Sequence, residues 1–347
     1  MKRRLETCLH TLWSRRSPAS DLLLPLSWLA AGVIAWRTWR ARHSAPVRAP
    51  VPVIVVGNIL VGGTGKTPVV IALCRTLSAR GWHPGVVSRG YGARGGPDPR
   101  LSRDDDSAAR LGDEPALIAR ETGVPVAVHP RRPQAIAALL DAHPEVDMIL
   151  SDDGLQHLAM ARDIEIVVQD QRGIGNGRLL PAGPLREPPA RLARADWIID
   201  NGTDAPSRPG AVRMTLRPVR AEHLASGRVL AWPDWLRSHA DSDCSAAAAI
   251  GQPRRFFDML SEAGIRLTRT LPLPDHHDFR DDPLRDLPPG PILVTAKDAV
   301  KCAALGDPRL WAVHVEAVFS DPGWIDALEA RLRMIRDALP HKAADSH

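Results

Sequence analysis

The apolar positions fall into short β-branched runs separated by stretches of helical period, and this alternation sets the fold class. Val53–Val56 reads as a buried strand, Thr67–Arg80 as a helix that ends at Gly81, and His83–Ser88 as a second strand. Residues 115–122 and 133–142 read as helices, and 147–150 and 164–168 as strands. A second series follows: strand 246–250, helix 253–263, strands 292–295 and 312–315, and a closing helix over 322–339. Strands alternating with helices predict an α/β fold with a mostly parallel sheet covered on both faces. Ala45–Pro52, with three prolines, reads as a linker, and Gly95–Asp106 as a surface loop. Gly173–Arg194 has little periodicity, and loops this long in compact domains usually serve function. A weakly marked boundary is expected between residues 200 and 220.

The amino-terminal pattern is different. Residues 22–36 carry no charge, and 15 residues of helix span only about 22 Å against a hydrocarbon core of roughly 30 Å. Lys2, Arg3 and Arg4 would suit a signal peptide, but Arg37, Arg40 and Arg42 stand where a cleavage site should be. Arginines on both flanks and tryptophans at both ends predict an interfacial or re-entrant anchor. An apolar helix buried within the protein is the alternative.

Composition narrows the class. The chain has 347 residues, 44% apolar and 24% charged, which excludes a disordered chain, a collagen and a small disulfide scaffold. Cys8, Cys74, Cys244 and Cys302 are scattered without metal-ligand spacing, which predicts a reducing compartment. The net charge is +5, yet only five of the 45 basic residues are lysine, so a lysine at a motif position carries information.

Lys66 stands at such a position. Val53–Pro68 is a strand, then Gly57, Gly62, Gly63, Thr64, Gly65, Lys66 and Thr67, then a helix. Phosphate binding needs this order: backbone N–H groups and the helix amino terminus face the anion, the lysine reaches the β/γ oxygens and the threonine hydroxyl holds magnesium. The loop is a variant, because Leu60 occupies the usual first glycine position. Partition-type ATPases carry an extra lysine in a related loop; Val61 stands there, which counts against a nucleotide-switched ATPase acting through a protein partner. Met148–His157 is an apolar strand ending in Asp152 and Asp153, a placement that supports magnesium in phosphate-loop enzymes, or a strand-end turn. Gly112–Pro115 sits at a helix start, where Asp113 could cap the helix and Glu114 could favour its dipole. Asp275–Phe279 contains the His276–His277 pair, whose spacing leaves metal binding, orientation of a base and no role equally open. Lys297 could face a phosphate or pair with an acid.

Taken in order, these motifs resemble the tetraacyldisaccharide 4'-kinase family, over about residues 20–335. The likeness rests on Gly57–Pro68, Ser88–Gly92, Gly112–Pro115, Asp152–His157, Gly175–Pro188, Asp275–His277 and Lys297–Lys301. It implies a phosphate-loop kinase that transfers the ATP γ-phosphoryl group, with Mg²⁺, to the 4'-hydroxyl of a tetraacylated glucosamine disaccharide 1-phosphate, giving lipid IVA in lipid A biosynthesis. It also implies an amino-terminal membrane-associated segment (1–45), a phosphate-loop domain (46–210) and a smaller α/β domain (211–347). The nucleotide would lie on Gly62, Gly63, Thr64, Gly65, Lys66 and Thr67, and the metal on Thr67, Asp152 and Asp153. Asp113 would be the base, assisted by His276 or His277, with Lys66 and Arg186 at the phosphoryl group and Glu114, Gln156 and Glu187 nearby. The enzyme would work at the cytoplasmic face of the inner membrane, against anionic lipid, with no nucleic acid and no obligate protein partner. The sequence departs from the family pattern at Ala296, where an acid is expected.

Overall fold

The structure is a computed structural model that describes residues 12–91, 96, 98–103 and 108–339. Gly92, Lys2 to Arg4, Cys8 and residues 95, 97 and 104–106 of the 95–106 loop lie outside the described residues.

Among the described residues, thirteen strands form one continuous sheet. In chain order they are β1 (Val53–Gly57), β2 (Pro84–Ser88), β3 (Arg100–Leu101), β4 (Val126–Val128), β5 (Met148–Asp152), β6 (Ile164–Asp170) and β7 (Trp197–Asn201). They continue as β8 (Val212–His223), β9 (Val229–Ala231), β10 (Cys244–Ala248), β11 (Leu267–Pro272), β12 (Ile292–Thr295) and β13 (Leu310–Phe319). The order across the sheet is β11-β10-β12-β13-β8-β7-β6-β1-β5-β2-β4-β3, with β9 beside β8. All pairs are parallel except β8 with β13 and β9, and β3 with β4. Residues 200–220, read from sequence as a boundary, hold the end of β7 and the start of β8, and the sheet runs on through them. Val212, Met214 and Leu216 alternate with Arg213, Thr215 and Arg217, the period-two pattern of a strand.

β1 is buried along its whole length, and its side chains divide between the two faces. Ile54 and Val56 pack with Val69, Leu73 and Leu77 of the Lys66–Ala79 helix, whereas Val53 and Val55 pack with Leu139 of the Arg132–Ala142 helix. The closing helix, Gly323–Ala338, belongs to the first of these faces: its Trp324, Ile325, Leu328 and Leu332 join the core built on β1. Glu329 accepts from Arg80 Nη1 at 2.8 Å and from Trp82 Nε1 at 3.3 Å. The chain's end therefore returns to its beginning.

The amino-terminal run forms a helix, Leu24–His43, that is not buried as the alternative reading required. Leu22, Leu26, Trp28, Leu29, Val33, Trp36 and Trp39 are exposed, and Ser27 is its one buried residue. No helix among the described residues is long and apolar enough to cross a membrane. Ser27 Oγ donates to Leu179 O at 2.8 Å and accepts from Ala182 N at 3.0 Å. Arg178 donates to Ser20 Oγ at 2.7 Å and pairs with Asp21. The aperiodic 173–194 loop is thus the seat on which this segment rests, and it closes with a short 3-10 helix, Pro189–Arg194.

Candidate active site

Parallel strands deliver their functional residues at their carboxyl ends. β1 pairs with β5 so that Val56 lies opposite Asp152, which sets the end of β1 beside the acids. The chain leaves β1 through Asn58, whose Nδ2 donates to Gly62 O at 3.1 Å and closes the loop. Gly65 has φ +96°, and a Cβ there would lie 2.2 Å from Asn201 Nδ2, so only glycine fits. That amide donates to Thr64 O at 2.9 Å. Arg172, held by Asp170, donates to Val61 O at 3.0 Å and to Gly63 O at 3.2 Å. The loop's carbonyls are thereby turned outward onto β6 and β7 neighbours, while Lys66 opens the Lys66–Ala79 helix.

Lys66 is 9% exposed, and its Nζ lies 3.4 Å from Asp153 Oδ1. Arg186 Nη1 reaches the other Asp153 oxygen at 3.3 Å. β5 stops at Asp152, and Asp153 takes a left-handed φ of 49°, so the two acids part company by a turn of the backbone. Burial favours the neutral form of Asp153, but the charges of Lys66 and Arg186 outweigh it and hold the carboxyl below its ordinary value. Asp152 is fully buried. Its Oδ2 accepts from Ser88 Oγ at 3.3 Å, and its Oδ1 has no hydrogen-bond partner among the described residues. Burial, then the charge of Glu114, pushes its carboxyl well above the usual range.

The Asp113–Thr122 helix brings a second acidic pair to the same place. Asp113 does not cap it: Gly112 is the N-cap, with φ 95°, and a Cβ there would lie 2.5 Å from Tyr91 O. Asp113 and Glu114 are instead the first two helical residues, turned toward the other half of the chain. Asp113 Oδ2 accepts from His276 Nδ1 at 2.9 Å and pairs with Lys301 Nζ at 2.5 Å. Glu114 pairs with Lys297 Nζ at 3.1 Å, and Asp275 lies 3.6 Å from the same Nζ. Burial raises the Asp113 carboxyl, but the bonds from His276 and Lys301 prevail and leave it lowered.

These groups surround a cleft of about 1210 Å³. Its walls include Gly62, Gly63, Gly65, Lys66, Thr67, Glu114, Asp152, Asp153, Gln156, Arg186 and His276 of the expected residues. Four others stand back from it. Thr64 is buried beneath the loop, and Asp113 sits one layer behind His276, its side chain 11% exposed. Glu187 holds Gln156 by a 2.6 Å bond from Nε2. His277 turns away: its Nδ1 accepts from Phe279 N at 3.0 Å, and Nε2 lies 3.4 Å from Asp281. Of the histidine pair, only His276 reaches the cleft, where Tyr91 packs on it at 5.2 Å between ring centroids. Sequence reasoning missed Asn201 and Arg172, which shape the loop, and gave no role to Lys301. Lys301 stood at the end of the Lys297–Lys301 motif and is one of five lysines, but neither signal says what it touches.

A variant phosphate loop at the carboxyl edge of a parallel sheet, facing paired acids across a cleft, defines a phosphate-loop phosphotransferase. A sequence model described as LpxK, tetraacyldisaccharide-1-P 4'-kinase, matches residues 19–333, and the chain belongs to this family. It is 53% identical over 338 residues to the tetraacyldisaccharide 4'-kinase of Bordetella parapertussis, covering 95% of this chain and 97% of that one. It is 47% identical over 322 residues to that of Dechloromonas aromatica, covering 92% and 94%. The crystal structure of LpxK from Aquifex aeolicus in complex with ATP superposes with a TM-score of 0.75 at 26% identity, covering 90% of this chain and 99% of that one.

Proposed function

We propose that this cleft is where the chain, an ATP-dependent tetraacyldisaccharide 4'-kinase by family, transfers the γ-phosphoryl group to the 4'-hydroxyl of its disaccharide 1-phosphate acceptor, giving lipid IVA. The observation that carries the assignment is Lys66 at a helix amino terminus, facing Asp153 and Arg186 across one cleft with His276. Phosphoryl transfer needs charge neutralisation and in-line positioning more than covalent chemistry. Lys66 and the amides of Gly62–Thr67 neutralise the phosphates from one side, and Arg186 does so from another. The acceptor oxygen attacks the γ-phosphorus as the bond to the bridging oxygen breaks and ADP leaves. The hydroxyl proton passes to the Asp113–His276 pair. Of this pair His276 lines the cleft and Asp113 lies behind it, joined to His276 Nδ1 through Oδ2 at 2.9 Å.

Thr67, Asp152 and Asp153 would hold magnesium, and the buried Asp152 Oδ1 without a partner is the kind of oxygen such an ion satisfies. The ion would supply charge neutralisation at the β- and γ-oxygens.

We assign residues 1–45 to the cytoplasmic face of the inner membrane. The exposed row from Leu22 to Trp39, flanked by Arg37, Arg40 and Arg42, supports this: indoles favour the headgroup level and arginines favour anionic lipid. Residues 46–210 and 211–347 would act as two lobes that contribute opposite walls of the cleft.

The test is transfer of labelled phosphate from ATP to the disaccharide acceptor in detergent, with magnesium. Product at the 4'-position from the wild type, and formation slowed about 10²–10⁴-fold but still measurable in Asp113→Asn, supports the assignment. Full activity of Asp113→Asn removes Asp113 from the proton path.

A further inference from the structure

Two side chains, a histidine and a lysine, converge on one oxygen of Asp113. His276 Nδ1 lies 2.9 Å from Oδ2 and Lys301 Nζ 2.5 Å from the same atom. Both contacts fall on the same oxygen, Oδ2, so the two side chains together fix where that oxygen lies.

The two donors also belong to one rigid frame. Lys301 lies on the Ala296–Cys302 helix, whose N-cap Thr295 accepts from Asp298 N at 3.1 Å. Asp298, 1% exposed, accepts at Oδ2 from Thr295 Oγ1 at 2.7 Å and from Ala249 N at 3.0 Å. The carbonyl of the same Ala249 accepts from His276 N at 3.2 Å. One residue thus ties the lysine helix to the histidine loop by its two backbone groups. His276 itself has a left-handed φ of 62°, a conformation that persists only where surroundings impose it. Asp113 arrives from a different element, the helix opened by Gly112. The charged groups facing it are His276, Lys301 and Lys297 on this frame, with Glu114 beside it on its own helix and Asp275 beyond His276.

We propose that Lys301 is a positioning residue for phosphoryl transfer: with His276 it pins Oδ2 of Asp113, so that the carboxylate behind His276 is held in one orientation for the proton that leaves the acceptor hydroxyl. The inference rests on Asp113 being the proton acceptor and adds how its carboxylate is oriented and kept ionised. Lys301 touches no reacting atom. It acts by removing the carboxylate's freedom to rotate, which fits the steep dependence of transfer rates on geometry.

The experiment compares wild type, Lys301→Met, Lys301→Arg, Asp113→Asn and the Lys301→Met/Asp113→Asn double variant, all full-length, with thermal unfolding of each as a folding control. Lys301→Met should lower kcat about ten- to a hundred-fold with KM for ATP unchanged. The acid limb of its kcat profile should move to higher pH, because a cation that favours the charged carboxylate is gone. Lys301→Arg should recover part of the rate at a wild-type acid limb. In the Asp113→Asn background, adding Lys301→Met should cost no further activity. A Lys301→Met enzyme with wild-type kcat and pH profile overturns the proposal. So does a loss that repeats undiminished in the Asp113→Asn background. A fully active Asp113→Asn enzyme overturns the underlying reading as well, and is distinguishable because it appears in a variant that keeps Lys301.

Discussion

Lys66 Nζ and Asp153 Oδ1 lie 3.4 Å apart, one at the start of a helix and the other one residue past the end of a central strand. The pair is a poised arrangement. The lysine that should face an incoming phosphate is parked on a carboxylate, and Arg186 holds the other oxygen of that carboxylate. In the proposed reaction a phosphate entering the loop would compete with Asp153 for Lys66, and the magnesium proposed for Asp153 would compete with Lys66. Lys66→Met is expected to lower kcat/KM by at least about 10²–10³-fold, the range typical of removing one preorganised charge-stabilising donor. Steady-state transfer assays read this directly; a loss smaller than tenfold would take Lys66 away from the transferring group.

Gly65 makes a separate prediction about the loop. An alanine there would need a left-handed backbone and would meet Asn201 Nδ2 at 2.2 Å. Gly65→Ala should weaken ATP binding at least about tenfold through displacement of Thr64, a loss of roughly 1.4 kcal/mol in binding free energy. Titration with a fluorescent ATP analogue checks it. Asn201→Gly in the same chain should restore part of the affinity by making room.

The exposed row on the Leu24–His43 helix predicts a division between catalysis and location. Replacing Trp28, Leu29 and Trp36 by Asn should abolish flotation with vesicles containing anionic lipid, while phosphorylation of acceptor dispersed in detergent persists. Retained flotation would place the membrane contact elsewhere.

Acid stability should report on a cluster that does not line the cleft. His314, 2% exposed on β13, lies 2.6 Å from Glu121 and 3.1 Å from Glu222 through its two ring nitrogens, and Arg220 and Arg75 also reach Glu121. Burial raises the Glu121 carboxyl, but His314 and the arginines bring it down to about 2 from 4.5. A carboxyl depressed in the folded state contributes stability that is fully present above its unfolded value and is lost as pH falls toward the folded one. The window is therefore pH 4.5 down to about 2, and the contribution is about 3 kcal/mol. Glu121→Gln should flatten the pH dependence of urea unfolding across that window; an unchanged slope would mean that Glu121 is not the group responsible.

What the sequence disclosed depended on how local the signal was. β1, the glycine loop and the helix after it are contiguous, and each carries its own pattern, so that unit was legible to within a residue or two. The strand expected at 246–250 lies at Cys244–Ala248, because the alanine run has no period to fix its ends. Asn201 and Arg172 could not be read at all: they matter only because β6 lies beside β1 and β7 beside β6 in the sheet, a fact of pairing that no local pattern encodes. His276 and His277 are equivalent by spacing. A left-handed backbone at His276 sends one ring to Asp113 and the other to Asp281. Asp113 illustrates the opposite difficulty, because its position invited a capping role that the N-cap Gly112 makes unnecessary.

The return of the Gly323–Ala338 helix to the core of β1 orders events in time as well as space. During synthesis, the part of this core that Trp324, Ile325, Leu328 and Leu332 fill stays open until the 16 residues of that helix have left the ribosome. The nucleotide loop is made early but gains its full support late. A chain released prematurely, even just short of residue 323, would carry every residue of the cleft and still expose a greasy flank, making it a target for chaperones and proteases rather than a working kinase.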